Sequence, residues 1–307
     1  MSHAVTEAWP KFAVMGAGAV GCYFGGMLAR AGAPVTLIGR ARHVEAIRRD
    51  GLFLESIRFQ ERVPVAAVTE VGASRSAEVV LFSVKTLDTE SAARALAPHV
   101  ASGAVVISLQ NGVDNADRIR AATGIPALPC VVYVAASMPA PGHVKHVGRG
   151  DLVLGGRPDI AALFERAGVP CRVSSDIAAE LWTKLVMNCA YNAISALCRC
   201  NYGQAAALPL TRDLITQATE EVVAVARAAG VRMPEGLVAA AWKLGAEAMP
   251  AAVSSTAQDL ARGNRTEIDS LNGYVARRGA ELGVPAPVNG TLHALVKLLE
   301  EAQRLQE

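Results

Sequence analysis

Three polar residues recur at four-residue spacing within the mostly apolar segment ELWTKLVMNCAYNAISAL: Lys184, Asn188 and Asn192, here called the ladder. On an α-helix this spacing places side chains on one face. Buried polar groups cost free energy unless they are hydrogen-bonded, so the ladder indicates either a substrate site or a structural helix. In a site, an ammonium can stabilise negative charge developing on oxygen and then donate its proton. In a structural helix, Lys184 would extend to solvent and the asparagines would bond to nearby backbone.

A second motif, GAGAVG at residues 16–21, matches G-x-G-x-x-G and lies between a predicted strand and a predicted helix. Gly16 permits the tight turn, Gly18 allows backbone to approach a pyrophosphate, and Gly21 allows close helix–strand packing. A helix N-terminus also attracts phosphate. The alternative is a glycine turn without a ligand. We predict that a dinucleotide contacts Gly16, Ala17, Gly18, Ala19, Val20 and Gly21.

The residues after the second predicted strand indicate which dinucleotide is preferred. An NAD site usually places Asp or Glu there, whereas an NADP site has a basic residue. The strand here ends in TLIGRARH, with Arg40 followed by Arg42 and His43. A guanidinium can hold a 2′-phosphate through two hydrogen bonds, so the sequence predicts NADP(H). The alternative is a set of ordinary surface cations.

Two further polar residues follow predicted strands of the same region. Lys85 follows VLFSV, and Asn111 follows VISLQ. Ligands in open α/β sheets bind beyond the carboxyl ends of the strands, so these residues are predicted to lie near the nicotinamide end of the cofactor. The alternative interpretations are that Lys85 is a solvated lysine and that Asn111 belongs to an ordinary Asn-Gly turn.

The order of predicted elements defines the fold class. Strands alternate with helices in the first half, which predicts an N-terminal Rossmann-type doubly wound parallel sheet. LPCVVYVAAS, GHVKHVG and DLVLGG are predicted as further strands, antiparallel at an edge. An all-helical C-terminal domain follows, with predicted helices 176–198, 211–229, 234–248, 256–262, 266–282 and 288–304. The predicted domains are residues 1–175 and 176–307.

Composition excludes several classes of protein. The net charge of +2 with scattered basic residues argues against nucleic-acid binding. No apolar run is long enough for a membrane span, and MSHAVTEAWPKF lacks the pattern of a secretory signal. The six cysteines form no Cys-x-x-Cys pair, so a metal site is not expected and free thiols in the cytoplasm are the default.

Six segments in order resemble the ketopantoate reductase (2-dehydropantoate 2-reductase) family across nearly the whole chain. They are GAGAVG, SVKT, LQNGV, ELWTKLVMNCAYN, SSTAQDLARGNRTEIDSLNG and the helical ending. The resemblance implies NADPH-dependent reduction of 2-dehydropantoate to (R)-pantoate, a step of pantothenate and coenzyme A biosynthesis.

The same resemblance implies a role for individual residues. Lys184 is the implied general acid, and Glu267 lies near the ladder and the cofactor as a second catalytic and cofactor-binding residue. Asn111 bridges cofactor and substrate, and Lys85 lies near the cofactor. The implied substrate contacts are Asn111, Asn188, Asn192 and Ser255, the last of these to the substrate carboxylate.

One position departs from the family pattern. Members often carry a substrate-binding Asn about ten residues after the second ladder Asn, and this chain has Tyr202 there, next to Asn201. The substrate is therefore expected to be a small 2-keto acid, with ketopantoate or a different 2-keto acid both open. A third reading is a regulator that binds NADPH without turnover. A homodimer is an open expectation.

Overall fold

The structure is a computed structural model that describes residues 8–305. Residues 1–7, which belong to the segment predicted to lack a secretory signal, lie outside the described residues. Contacts divide the chain into two compact units. The first contains the residues up to Gln110 and Asp114–Ile177, and the second contains Asn111–Val113 and the residues from Ala178 onward. We keep the division at residues 175 and 176 as a proposal for the domain boundary.

The first unit is built on a mixed sheet. Its strands are β1 (Phe12–Met15), β2 (Val35–Ile38), β3 (Leu52–Ser56), β4 (Gln60–Val63), β5 (Ala66–Val68), β6 (Val79–Phe82), β7 (Val105–Ser108), β8 (Ala127–Ala140), β9 (His143–Leu154) and β10 (Cys171–Val173). The order is β4-β3-β9-β8-β7-β6-β1-β2-β5, with β10 beside β9. Strands β2 and β6 flank β1 in parallel, so the chain order reverses at β1, where open α/β sheets bind ligands.

Helices cover both faces of this sheet, as the predicted doubly wound class requires. They are α1 (Ala19–Arg30), α2 (Ala41–Asp50), α3 (Thr89–Leu96), α4 (Asn115–Thr123) and α5 (Pro158–Arg166). Because side chains alternate along a strand, β1 contributes to two cores. Phe12 and Val14 pack with residues of α1, whereas Ala13 and Met15 pack with residues of α3.

The prediction of an antiparallel edge was wrong in position. GHVKHVG and DLVLGG form the single strand β9, which is antiparallel to β8 as expected. However, β9 also pairs in parallel with β3 and β10, so it lies inside the sheet. The β3–β4 hairpin, which extends the sheet beyond β9, was not predicted from the sequence.

The second unit is helical throughout the part of the chain that the structure describes. Its helices are α6 (Ile177–Cys198), α7 (Tyr202–Ala207), α8 (Pro209–Ala228), α9 (Leu237–Lys243), α10 (Ser255–Leu260), α11 (Asn272–Leu282) and α12 (Pro287–Arg304). The predicted helix 266–282 begins later, because 268–270 form a 3₁₀ turn. Within residues 8–305, no helix combines the length and apolarity needed to cross a bilayer.

The buried ring of Tyr191 explains a departure in the predicted helix 234–248. After α9 the chain continues as a π-helical turn over Leu244–Ala248. The Tyr191 hydroxyl donates to the Trp242 carbonyl at 3.0 Å, and the ring lies directly against Gly245. A side chain at Gly245 would overlap that ring, so the widened turn accommodates Tyr191 between α6 and this segment.

Candidate active site

The glycine loop has the geometry expected of a dinucleotide-binding turn. Gly16 has φ +112°, a value that favours glycine, and a Cβ there would lie 2.7 Å from the Val84 amide nitrogen. A Cβ on Gly21 would overlap the Gly16 carbonyl oxygen and the Ser83 hydroxyl. By contrast, a Cβ on Gly18 would meet nothing within 4 Å. Backbone at Gly18 is therefore open to close approach by a ligand.

Helix α1 begins directly after the loop, and the backbone amides of its first turn are available as hydrogen-bond donors. Gly18 is the N-cap of α1 and makes no side-chain cap, and the first turn contains no acidic residue. The first four amides of a helix have no partner within the helix, so they can donate to a phosphate. Ala17 is anchored by its amide to the Ile38 carbonyl at 2.9 Å, and the Ser83 hydroxyl donates to the Gly16 carbonyl at 2.9 Å. Ser83 is a support that the motif did not indicate.

Basic residues follow β2, as the sequence predicted. Arg40 is exposed at the N-cap of α2, and Arg42 Nε donates to His43 Nε2 at 3.2 Å. Burial, and then the charges of Arg42 and Arg40, lower the pKa of His43 below its ordinary value. His43 is therefore mainly neutral at pH 7, and the positive charge of this cluster comes from the guanidinium groups.

The ends of the next two strands carry the other predicted polar residues. Lys85 is exposed at the start of the 3₁₀ turn Thr86–Asp88, directly after β6. After β7, the buried Gln110 donates from Nε2 to the Val84 carbonyl at 3.1 Å and to the Thr89 hydroxyl at 2.8 Å. Gln110 thus fixes the end of β7, just before Asn111.

Asn111 contacts two other predicted site residues of the second unit, Lys184 and Glu267. Lys184 Nζ donates to Asn111 Oδ1 at 2.8 Å, and Asn111 Nδ2 donates to Glu267 Oε2 at 3.2 Å. The carboxamide can satisfy both neighbours in only one orientation, with oxygen toward the ammonium and nitrogen toward the carboxylate. Glu267 is 8% exposed, so its hydrogen bond to Asn111 is largely shielded from water.

The far end of the ladder meets a second group of polar residues. Asn192, which is 3% exposed, donates from Nδ2 to the Ser255 hydroxyl at 3.4 Å. The Tyr202 hydroxyl donates to Asn192 Oδ1 at 3.5 Å, and the Tyr202 ring stacks on Tyr191 with centroids 4.5 Å apart. The departure at Tyr202 therefore lies directly beside two predicted substrate residues.

Asn188 lies between these two groups. Its side chain is half-buried, and within residues 8–305 it makes no hydrogen bond to the other two ladder residues. The structure thus joins Lys184 with Asn111 and Glu267, and Asn192 with Ser255, but leaves Asn188 outside both groups.

Ser254, which was not among the predicted site residues, holds the neighbouring Ser255 in place. Ser254 caps α10 by accepting the Ala257 amide at 3.0 Å and donates to the Asn192 carbonyl at 3.1 Å. Ser255 comes next, is exposed, and begins the helix. The serine immediately before a helical pattern is the ordinary N-cap signal, and it could have identified Ser254.

A doubly wound unit with a glycine-rich turn after β1, followed by a helical unit with an ammonium–carboxamide–carboxylate chain, is the architecture of a Rossmann-type oxidoreductase. Residues 12–159 match the family model "Ketopantoate reductase PanE/ApbA", and residues 176–300 match its C-terminal counterpart. The chain belongs to the ketopantoate reductase family.

Full-length relatives agree with these matches. A 2-dehydropantoate 2-reductase of Halobacterium salinarum is 34% identical, covering 94% of this chain and 99% of its own length. The crystal structure of a PanE/ApbA family ketopantoate reductase from Ralstonia eutropha JMP134 has a TM-score of 0.93 at 50% identity, covering 96% of this chain and 99% of that one. A D-mandelate dehydrogenase, at 23% identity and a TM-score of 0.90 over 96% of this chain and 99% of its own, shares the fold.

The predicted family, fold class and enzyme type are confirmed by these matches. The protein is an oxidoreductase of the 2-dehydropantoate 2-reductase type, and its family implies a nicotinamide cofactor.

Proposed function

We propose that this protein reduces 2-dehydropantoate (ketopantoate) to (R)-pantoate with NADPH, a step of pantothenate and coenzyme A biosynthesis. The observation that carries the proposal is the chain from Lys184 through Asn111 to the buried Glu267, with contacts of 2.8 and 3.2 Å. A lysine that served only to reach solvent would not need a carboxamide oriented by a buried carboxylate.

Lys184 acts as the general acid in this proposal. Reduction of a ketone leaves negative charge on its oxygen, and a positioned ammonium stabilises that charge and donates a proton. Asn111 Oδ1 holds Nζ in place, and Glu267 fixes the orientation of Asn111. Glu267 therefore positions Lys184 through Asn111, and its proposed contact with the cofactor makes it a second catalytic residue.

The remaining polar groups of the second unit bind the substrate. Asn188 has a half-buried carboxamide that can donate to the keto acid. Asn192 presents Nδ2 to the Ser255 oxygen, so that the Ser255 hydroxyl proton is left to donate to the substrate carboxylate.

The residues of the first unit suit NADPH, which would supply the hydride when bound. The open space at Gly18 admits a pyrophosphate, and the amides of the first turn of α1 receive it. Arg40 and its cationic neighbour Arg42 suit a 2′-phosphate, whereas an acidic partner for a ribose hydroxyl is missing from TLIGRARH. Lys85 is proposed as a further cofactor contact.

Two glycine substitutions should separate folding from cofactor binding. Gly18→Ala should leave the melting temperature unchanged, because Gly18 has φ −89° and open space around it. Its methyl group should hold the pyrophosphate away from the loop, at the cost of a charge-assisted hydrogen bond of ~1.5–3 kcal/mol, or ~10–100-fold in NADPH affinity. Fluorescence titration with NADPH measures this effect.

Gly21→Ala is the matched opposite case. Its Cβ would overlap the Gly16 carbonyl oxygen, which is backbone and cannot move aside easily. Overpacking of this kind typically costs ~1–3 kcal/mol, so a lower melting temperature is expected. Wild-type NADPH affinity in Gly18→Ala would remove the loop from the proposed cofactor site.

A different 2-keto acid is the second candidate, and the contact between Tyr202 and Asn192 favours it. An aromatic ring presents apolar surface at a position where family members often carry a carboxamide. A substrate with an apolar side chain would suit that surface better than the hydroxyl of ketopantoate.

Substituting Tyr202 tests this alternative with two substrates that differ by one group. Ketopantoate and 3,3-dimethyl-2-oxobutanoate are identical except for the ketopantoate hydroxyl. Tyr202→Asn should raise kcat/KM for ketopantoate relative to the other acid by about tenfold, a value for one hydrogen bond of ~1.4 kcal/mol. Tyr202→Phe, which keeps the ring on Tyr191, should leave the ratio close to that of the wild type. An unchanged ratio in Tyr202→Asn would place Tyr202 outside the specificity site.

One assay tests the proposed function and both alternatives. The rate of NADPH oxidation would be measured with each member of a panel of 2-keto acids, and it should be highest with ketopantoate. Faster turnover of another acid would favour the second enzyme, and NADPH binding without reduction of any member of the panel would favour a regulator. We also propose a cytoplasmic location, which suits the six free thiols, and a homodimer, for which the exposed Leu295 and Leu298 of α12 offer an apolar face.

A further inference from the structure

Three side chains of α12 face the segment that carries Glu267. His293, Lys297 and Glu300 lie at spacings of four and three residues, so they share one face of the helix. All three contact the segment Thr266–Ser270, which contains the 3₁₀ turn after Glu267. We call these three residues the α12 clamp.

The clamp holds the backbone on the N-terminal side of Glu267. Glu300 Oε1 accepts the Thr266 amide at 2.7 Å, one residue before Glu267. Glu300 Oε2 pairs with Lys297 Nζ at 2.7 Å, and the Glu300 side chain is 10% exposed. A buried backbone amide is thus satisfied by a carboxylate that is itself fixed by an ammonium.

The clamp also holds the C-terminal side. Lys297 Nζ contacts Asp269 Oδ2 at 3.1 Å, and His293 Nε2 contacts Asp269 Oδ1 at 2.6 Å. The imidazole of His293 packs on Gly273, where a Cβ would lie 2.8 Å from the ring. His293 is therefore fixed between a carboxylate and a glycine, with no room for a larger neighbour.

The charges of the clamp reinforce one another at neutral pH. Burial opposes ionisation of Asp269, but hydrogen bonds from His293 and Lys297 outweigh it and lower its pKa. Burial likewise opposes ionisation of Glu300, yet its bonds to Lys297 and Thr266 lower its pKa. Burial is also outweighed at Lys297, whose carboxylate partners raise its pKa. Asp269, Lys297 and Glu300 thus stay ionised between weakly acidic and weakly basic pH.

We infer that His293, Lys297 and Glu300 are positioning residues that hold the Glu267 carboxylate in place. Because Glu267 orients Asn111, they also fix the position of the Lys184 ammonium. The path runs from the fixed backbone on both sides of Glu267 to Glu267 Oε2, then to Asn111 and Lys184 Nζ. The catalytic consequence rests on the proposed function, whereas the geometric consequence does not.

Glu300→Ala tests the clamp, and Glu301→Ala is its matched control. Glu301 is the next residue of α12, and within residues 8–305 its one ion pair is with Arg304 at the surface, where the two side chains are 51% and 74% exposed. In Glu300→Ala the Thr266 amide loses its acceptor, and a misplacement of about 1 Å at a reacting group can cost ~10²-fold in rate. We expect kcat for ketopantoate to fall by about tenfold or more in Glu300→Ala, and Glu301→Ala to match the wild type.

A second measurement does not depend on turnover. NMR of protein labelled with ¹³C and ¹⁵N in lysine side chains reports the Lys184 Nζ environment, assigned by Lys184→Ala. Glu300→Ala should shift the Lys184 signals, and Glu301→Ala should not. If Glu300→Ala does not fold, Lys297→Met breaks both ammonium contacts but leaves the Glu300–Thr266 bond, and it should give smaller changes in the same direction.

The outcomes separate the inference from the proposed function. Unmoved Lys184 signals overturn the positioning role, as does a folded Glu300→Ala enzyme with moved signals but wild-type kcat. Additive losses of kcat in the Glu267→Gln/Glu300→Ala double variant would also overturn it, since residues on one path should not add. If the wild type reduces no 2-keto acid, the proposed function fails and the NMR signals alone decide the positioning role.

Discussion

Lys184→Ala is expected to lower kcat for ketopantoate by ~10²–10⁴-fold, the usual contribution of general acid catalysis. The variant loses both the proton donor and the charge that stabilises the developing alkoxide. NADPH affinity should change little, because the proposed cofactor contacts centre on the glycine loop. Steady-state kinetics and melting temperature, measured on the same preparation, separate lost chemistry from lost folding.

Lys184→Arg should not restore the rate. A guanidinium keeps the charge but is a poor proton donor near neutral pH, and its planar fork does not match a place filled by an ammonium 2.8 Å from Asn111. Lys243→Ala removes an exposed lysine of α9 and serves as the control for the charge change. A folded Lys184→Ala protein with near-normal turnover would leave the ladder with a structural role only.

Arg40→Asp should reverse much of the preference for NADPH over NADH. Loss of a charge-assisted hydrogen bond costs ~1.5–3 kcal/mol, or ~10–100-fold in affinity for the 2′-phosphate. Repulsion between the new carboxylate and the phosphate adds to this loss, while the same carboxylate can accept from the ribose hydroxyls of NADH. The ratio of kcat/KM for the two cofactors measures the change.

Arg49→Asp provides the matched control on the same helix. Arg49 is an exposed arginine of α2 whose only described ion pair is with the adjacent Asp50 at 2.7 Å. The substitution alters net charge by the same amount, so a general electrostatic effect would appear in both variants. Equal use of NADPH and NADH by the unmodified protein would show that Arg40 does not select the cofactor.

Local patterns were enough to predict several elements of the first unit. Strand β1, the glycine loop and α1 follow from an apolar run, a motif and a helical pattern that are adjacent in sequence. The β3–β4 hairpin was not predicted because Gln60, Glu61 and Arg62 on its outer strand are exposed and polar, so the strand lacks an apolar pattern. The position of β9 was also misjudged, because its place in the sheet depends on partners far away in sequence.

In the candidate site, too, features set by local spacing could be predicted, whereas contacts between residues distant in sequence could not. Four-residue spacing placed Lys184, Asn188 and Asn192 on one helix, but spacing could not indicate that Asn111, 73 residues earlier, would accept from Lys184. The α12 clamp is likewise a set of contacts between residues more than 20 positions apart. Tyr202 was identified by its departure from a pattern, whereas its stacking on Tyr191 required the packed structure.

The transfer of a label from NADPH to the product tests the central claim most directly. The protein would be mixed with ketopantoate and NADPH that carries deuterium at both positions of nicotinamide C4, and the product analysed by mass spectrometry and chiral chromatography. The account predicts (R)-pantoate with one deuterium at C2, formed in equal amount to NADP⁺, and almost none with Lys184→Ala. Quantitative recovery of unlabelled ketopantoate while NADPH is bound would contradict it.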